Sequence, residues 1–214
     1  MTVGRLIALE GGEGSGKTTV WKRLKKDLMR SGRFLFCREP GGTEFGEEIR
    51  DILFSRQYDM LPETEFMLFM VSRLELFNKV IRPALARGRH VVTDRLDAST
   101  FVYQIYAHGL REFEELFRVV QRRYLKPIGD EDWLCPHYIL LDLDPEIGLK
   151  RRQTAGDTNR FDEKEIKFHH TVRSGYKHFV ARERDHTIID ASLSPDEVFK
   201  SALDVVLKLT EEGV

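Results

Sequence analysis

Cysteine is scarce. The 214-residue chain has two, Cys37 and Cys135, with no CxxC pair and no framework spacing, which excludes a disulfide scaffold and suits structural thiols in a reducing, cytoplasmic setting. An excess of charge of one sign is also missing. Lys and Arg number 34 against 35 Asp and Glu, a formal net charge of −1. A dedicated binder of polymeric nucleic acid carries a basic surplus to displace counterions, so phosphate recognition here has to be local. Long apolar runs are absent too: the first apolar stretch, Leu6–Leu9, is too short for a signal h-region, and no segment approaches membrane-spanning length. Neither an internal repeat nor a low-complexity tract interrupts the chain. With 41% hydrophobic and 32% charged residues, it reads as one globular domain spanning residues 1–214.

What is present alternates. Short apolar runs at Leu6–Glu10, Arg33–Arg38, His90–Asp94, His137–Asp144 and His186–Asp190 are separated by segments with helical spacing, such as Val20, Leu24 and Leu28. Strands without clean apolar–polar alternation, joined by helices, predict an α/β fold: a three-layer, doubly wound sheet of five parallel strands, with its ligands beyond the carboxyl ends of the strands. A long helical pattern covers about Glu63–Arg87, with Pro62 suited to its start and Pro83 expected to kink or break it. Gln153–Asp162 is polar and without periodicity, and is expected to be a mobile loop between two helices. Asp144-Pro145-Glu146 has the pattern of a helix start, and His169-His170 lack metal-ligand spacing and are read as helix surface.

The strongest motif is Gly11-Gly12-Glu13-Gly14-Ser15-Gly16-Lys17-Thr18, which fits G-x-x-x-x-G-K-[ST] with a strand before it and a helix after it. The glycines let the backbone curl so that N–H groups face phosphate oxygens. Lys17 supplies a point charge, and Thr18, next to Thr19, offers its hydroxyl to Mg²⁺. This P-loop binds a nucleoside triphosphate.

A second anion-binding pattern, Arg38-Glu39-Pro40-Gly41-Gly42-Thr43, follows the second strand, and Asp94-Arg95 ends the third. Two arginines at neighbouring strand ends, beside a loop that holds a triphosphate, describe a clamp for a second phosphate. A hydrolase needs only water there; a kinase acting on a monophosphate needs the clamp.

These residues carry a family resemblance. In IALEGGEGSGKTT, REPGGT, EFMLFMVSRLELFNKVIRPAL, DRLDASTFVYQ and LDLDPEIGLKRR the chain resembles bacterial thymidylate kinases over nearly its whole length. The resemblance implies the P-loop nucleoside monophosphate kinase fold, Mg²⁺- and ATP-dependent conversion of dTMP to dTDP, a mobile lid at about residues 150–163, and a homodimer. It implies that Phe69 stacks on thymine and that Arg73, four residues on, contacts the base. It also implies that Ser99 touches the base, that Tyr103 crowds the 2′ side of the sugar with Gln104 completing the pair, and that Glu13 meets the acceptor sugar. Arg38, Pro40 and Arg95 would surround the acceptor phosphate, Asp94 would assist Mg²⁺, and Arg152 or Arg160 would bring a lid guanidinium to the transferred group. The chain departs from the family pattern in a lid with few arginines, in Leu96 after the DR pair, and in IYAHG after Gln104. Independently of the resemblance, a donating arginine suits thymine O4 and opposes the N4 donor of cytosine, but also suits guanine O6. Another monophosphate kinase, for dGMP, GMP or dUMP, therefore stays open on the residues alone, as does an ATP-binding regulatory module. No membrane or nucleic-acid polymer is expected as a partner.

Overall fold

The computed structural model describes residues 3–128, 134–156, 158, 161–182 and 185–211. Five parallel strands form one sheet in the order β2-β3-β1-β4-β5: β1 (Leu6–Glu10), β2 (Phe34–Arg38), β3 (His90–Asp94), β4 (His137–Asp142) and β5 (His186–Asp190). The expected strands are therefore present, the second one residue shorter at its start and the fourth two shorter at its end. The chain builds one side of β1 with β2 and β3 and the other side with β4 and β5, so the order reverses at β1, and the loop leaving β1 opens at that switch point.

Both sheet faces are covered. Along β1, Leu6 and Ala8 enter one apolar cluster while Ile7 and Leu9 enter the other, the period-2 alternation of a strand with no solvent side. The first cluster packs against α3 (Pro62–Leu76), α6 (Glu114–Tyr124) and α8 (Ile166–Val180), and the second against α1 (Lys17–Leu28) and α9 (Pro195–Glu211). Of the remaining helices, α2 (Glu44–Phe54) follows β2, α4 (Arg82–Ala86) precedes β3, the short α5 (Asp97–Thr100) follows it, and α7 (Pro145–Ala155) follows β4.

Local chemistry sets the helix boundaries. Thr43 caps α2 by accepting from Gly46 N at 3.0 Å. Asp144 caps α7 by accepting from Glu146 N at 3.2 Å with Pro145 in the first turn, and Ser194 and Glu197 form a reciprocal capping box at α9. Two expectations need correction. Pro83 does not break the helical run: after α3 the chain widens into a π turn over Phe77–Ile81, where Arg82 N donates to Phe77 O. Pro83 then sits in the first turn of α4, where a missing N–H costs no bond. The polar stretch from Gln153 also begins inside a helix, because α7 continues to Ala155 and ends at Gly156 in the left-handed region.

Candidate active site

Strand register assembles the site. Arg38 lies level with Asp94 across β2–β3, and Asp94 level with Leu9 across β3–β1, so three strand ends deliver their next residues to one rim. Between Glu10 and Lys17 the backbone curls through Gly11, Gly12, Glu13, Gly14, Ser15 and Gly16. Gly16 is left-handed at φ 87°, and no side chain caps α1, which leaves the first-turn N–H groups, with Thr18 and Thr19 exposed beside them, to an anion. Gly14 is required sterically: a methyl group there would stand 2.1 Å from Gly148 O of α7.

Lys17 is folded onto this loop, its Nζ 2.7 Å from Gly12 O and 3.2 Å from Ser15 Oγ. Burial, then the positive charge of Arg95, lowers its pKa to about 7 against the opposing pull of Asp94, Glu13 and Glu10. Thr18 Oγ1 donates to Asp94 Oδ2 at 2.9 Å, which joins the two oxygen-bearing side chains expected around a hard cation.

Arg95 occupies the left-handed region at φ 73°, a conformation costing about 1–3 kcal/mol for a non-glycine residue. It is held by Arg95 N donating to Leu9 O at 3.0 Å and by Thr93 Oγ1 donating to Arg95 O at 2.8 Å. That turn sends the guanidinium back over the phosphate loop. Nη1 donates to Ser99 Oγ at 2.9 Å, Tyr176 Oη at 3.0 Å and Gly11 O at 3.4 Å, and Nη2 stands 3.8 Å from Glu13 Oε1. Arg38 is placed differently. It is exposed at the rim and paired with Glu47 Oε2 at 2.7 Å, while Glu47 Oε1 accepts from Gly42 N at 2.8 Å. Pro40, joined to Glu39 by a cis peptide bond, accepts at its carbonyl from Arg50 Nη1 at 2.9 Å.

At the other end, Arg73 is 2% exposed. Its Nε donates to Glu39 Oε2 at 2.7 Å, and Nη2 to Leu96 O at 3.1 Å and Thr100 Oγ1 at 3.0 Å. Nη1 is buried with no hydrogen-bond partner among the described residues, a buried donor of the kind native structures seldom leave unmatched. Burial pushes the Glu39 carboxyl up to about 7 against the pull of Arg73. Phe69, one turn from Arg73, is half-buried and belongs to neither core cluster, whereas Phe66 is fully buried in the first.

Tyr103 lies in a second π turn, Phe101–Ala107, a widening often found at functional sites. Its hydroxyl donates to Glu13 Oε1, so the phosphate loop and the expected sugar-facing residue are in direct contact. Gln104 is turned away from that contact, its Nε2 donating to Glu65 of α3 at 2.6 Å. Ser99 is tied to its neighbours in the strand-end cluster. Its hydroxyl donates to Glu10 Oε2 at 2.7 Å and accepts from Arg95, which joins it to the arginine clamp. Arg152 forms a two-point ion pair with Asp162, at 3.0 and 3.1 Å, next to Phe161, whose ring packs edge-on against Tyr103 and Phe54. Arg160 lies outside the described residues.

Sequence reasoning passed over several contributors. Glu10 is fully buried and accepts from Leu96 N, Ser99 Oγ and Tyr176 Oη; burial raises its pKa, with Arg95 opposing. Tyr176 and His169 come from α8, seven residues apart and hence on one helix face. His170 does lie on the surface, 2.9 Å from Glu146, but His169 is 3% exposed and stands 3.4 Å from Glu13 Oε2. Only the first-turn motifs had a local pattern to find; these residues reach the site through packing.

The site thus has a triphosphate loop, a guanidinium touching that loop, an oxygen pair for a cation and a buried donor at the far end. The family model described as "Thymidylate kinase" matches residues 9–202. A thymidylate kinase of Oleidesulfovibrio alaskensis is 41% identical over 210 residues, covering 94% of this chain and 96% of its own. One of Chlamydia muridarum is 36% identical over 193 residues, covering 90% and 93%. The crystal structure of thymidylate kinase from Ehrlichia chaffeensis shares the fold, with a TM-score of 0.74 over 95% of this chain and 99% of that one at 24% identity.

Proposed function

This chain belongs to the thymidylate kinase family, and we propose that it phosphorylates dTMP to dTDP by moving the γ-phosphoryl group of ATP directly between the phosphate loop and the Arg95 clamp. The observation that carries the reading is the position of the Arg95 guanidinium, 3.4 Å from Gly11 O and 3.8 Å from Glu13. A monophosphate held by Arg95 is necessarily next to a phosphate cradled by residues 11–18, which is the end-to-end arrangement that in-line transfer needs.

The roles follow from placement. Backbone N–H groups of the loop and Lys17 neutralise the donor phosphates, and an incoming γ-phosphate draws Lys17 from Gly12 O and favours its charged form. Arg95 holds the acceptor phosphate, and Arg38 joins it from the rim with Arg50 beside it. No protein nucleophile is needed; orientation and fixed positive charge supply the catalysis. Arg73 Nη1 gives its unused N–H to thymine O4, and Phe69 presents an aromatic face to the ring. Glu13 and Tyr103 meet the deoxyribose, and the ring of Tyr103 narrows the 2′ side. The Thr18–Asp94 pair is an all-oxygen donor set that fits Mg²⁺, which would offset the negative charge of the donor phosphates. Asp94 would hold the ion directly or through its waters. Arg152 and Arg160 are the lid guanidinium candidates, and the Asp162 pair must open before Arg152 reaches a phosphate.

The same reading treats the chain as one domain with a lid at residues 150–163 and as a homodimer. Met67 and Val71 leave one apolar stripe exposed on α3, and Leu116 and Val119 are exposed on α6, a helix that contacts α3; exposed apolar groups of this kind suit a second copy. Among the described residues no helix is long and apolar enough to cross a membrane, and Cys37 and Cys135 are unpaired, which supports a cytoplasmic setting. The test is ADP formation with dTMP, dUMP, dGMP and dCMP at equal concentration. dTMP should be turned over fastest and dCMP least; faster turnover of dGMP would overturn the base assignment.

A further inference from the structure

Helix α8 touches the phosphate loop twice. Tyr176 Oη reaches Glu10 at 3.2 Å, and two turns earlier His169 Nδ1 stands 3.4 Å from Glu13 Oε2. Glu13 has a divided environment. Its Oε1 accepts from the Tyr103 hydroxyl and lies 3.8 Å from Arg95. Its Oε2 is buried with no close hydrogen bond among the described residues, so the His169 contact is its polar neighbour, at ion-pair range but long for a hydrogen bond. One lone pair of Oε2 thus remains for a ligand hydroxyl.

His169 is also poorly explained as packing. Its Nε2 is buried with no hydrogen-bond partner among the described residues, a cost that an apolar side chain of the same size avoids. A cavity of about 20 Å³ lined by His169, Glu13, Gly12, Arg173 and Tyr176 lies beside it, large enough for one water to donate to Nε2. A donor at Nε2 fixes the ring proton on Nδ1, the nitrogen that faces Glu13.

We propose that His169 is a positioning residue of the acceptor-sugar site: its Nδ1–H holds the Glu13 carboxylate so that Oε2 meets the 3′-hydroxyl of the acceptor nucleotide. The inference rests on the reading above that Glu13 faces the sugar. Tyr103 and Arg95 face Oε1, and among the described residues His169 is the charged or polar side chain placed at Oε2, the oxygen left for the substrate.

The test compares dTMP with 3′-deoxythymidine monophosphate as acceptors for the wild type, His169→Phe, His169→Asn and Glu13→Gln, with thermal denaturation confirming that each folds. His169→Gln replaces His169→Phe if the latter does not, since its longer amide leaves nothing at the Nδ1 position. For His169→Phe, kcat/KM with dTMP should fall about tenfold, the low end of what a hydrogen bond to a charged group is worth. The 3′-deoxy acceptor should lose little, KM for ATP should not change, and His169→Asn, with an amide near the Nδ1 position, should recover most of the loss. Equal losses with both acceptors, or no loss with dTMP, overturn the role of His169. If Glu13→Gln is also insensitive to the 3′-hydroxyl, the placement of Glu13 at the sugar falls with it; a selective Glu13→Gln beside an unselective His169→Phe sinks His169 alone.

Discussion

Replacing Arg73 by leucine removes one half of a buried ion pair, and the structure gives both the size and the pH dependence of the result. The Arg73 and Glu39 side chains are 2% and 3% exposed. Arg73 also loses its hydrogen bonds to Leu96 O and Thr100 Oγ1. Breaking a buried pair by deleting one partner costs about 3–5 kcal/mol, less than the stability of an ordinary domain, so Arg73→Leu should still fold. The pH dependence comes from Glu39, whose carboxyl burial raises to about 7 even beside Arg73. An acid with a raised folded pKa loses stability as pH climbs from its unfolded value, 4.5, to its folded value, and no further. In the wild type that loss ends near pH 7. Without the guanidinium the folded pKa lies higher, so the variant keeps losing about 1.4 kcal/mol per pH unit above 7. The gap between the two proteins should be constant from pH 5.5 to 7 and widen by about 2 kcal/mol by pH 8.5. Urea denaturation at the three pH values measures it, and Arg73→Leu combined with Glu39→Gln should abolish the widening. A pH-independent gap, or the same widening in the double variant, would refute the assignment of Glu39 as the titrating group. In kinetics, Arg73→Leu should raise KM for dTMP far more than KM for ATP, and equal changes would remove Arg73 from the base site.

Lys17→Ala should lower kcat by about a thousandfold or more, as loss of a charge aimed at the transferred phosphate does, with an unchanged or higher melting temperature because a buried ammonium is removed; unchanged turnover would contradict the loop assignment. Gly14→Ala forces a side chain at φ 66° to within 2.1 Å of Gly148 O, and calorimetric titration should show ATP binding lost, whereas normal binding would show that α7 can yield. Arg56→Ala should change stability by less than about 1 kcal/mol, since Arg56 and Glu163 are 63% and 58% exposed; a larger loss in denaturant midpoint would mean that this pair anchors the lid.

Much of the fold was legible because its rules are local. A strand buried on both faces has to be a run like LIAL, and Asp144-Pro145 or Thr43 caps a helix through atoms within three residues. Hence the strand positions and helix starts agreed with the structure. Pro83 misled because a π turn spares the proline its penalty, an adjustment that residue identity alone does not announce. The site was legible to the same depth. Lys17, Thr18, Asp94 and Arg95 sit in motifs whose geometry is contained in the motif, and they converge. The contact of Ser99 with Tyr176 had no local signal, because the two lie 77 residues apart.

The sequence by itself determined the phosphate loop, the five strands and the arginines at strand ends, because backbone curl, periodicity and capping act over a few residues. Tertiary structure alone decided which groups those residues answer to. It set Arg38 on Glu47 and Arg95 over the loop, buried Glu39 against Arg73, and brought His169 from the surface of a pattern to the carboxylate of Glu13. These pairings depend on desolvation and on contacts between α8, α3 and the strand ends, and neither exists until the sheet has been covered.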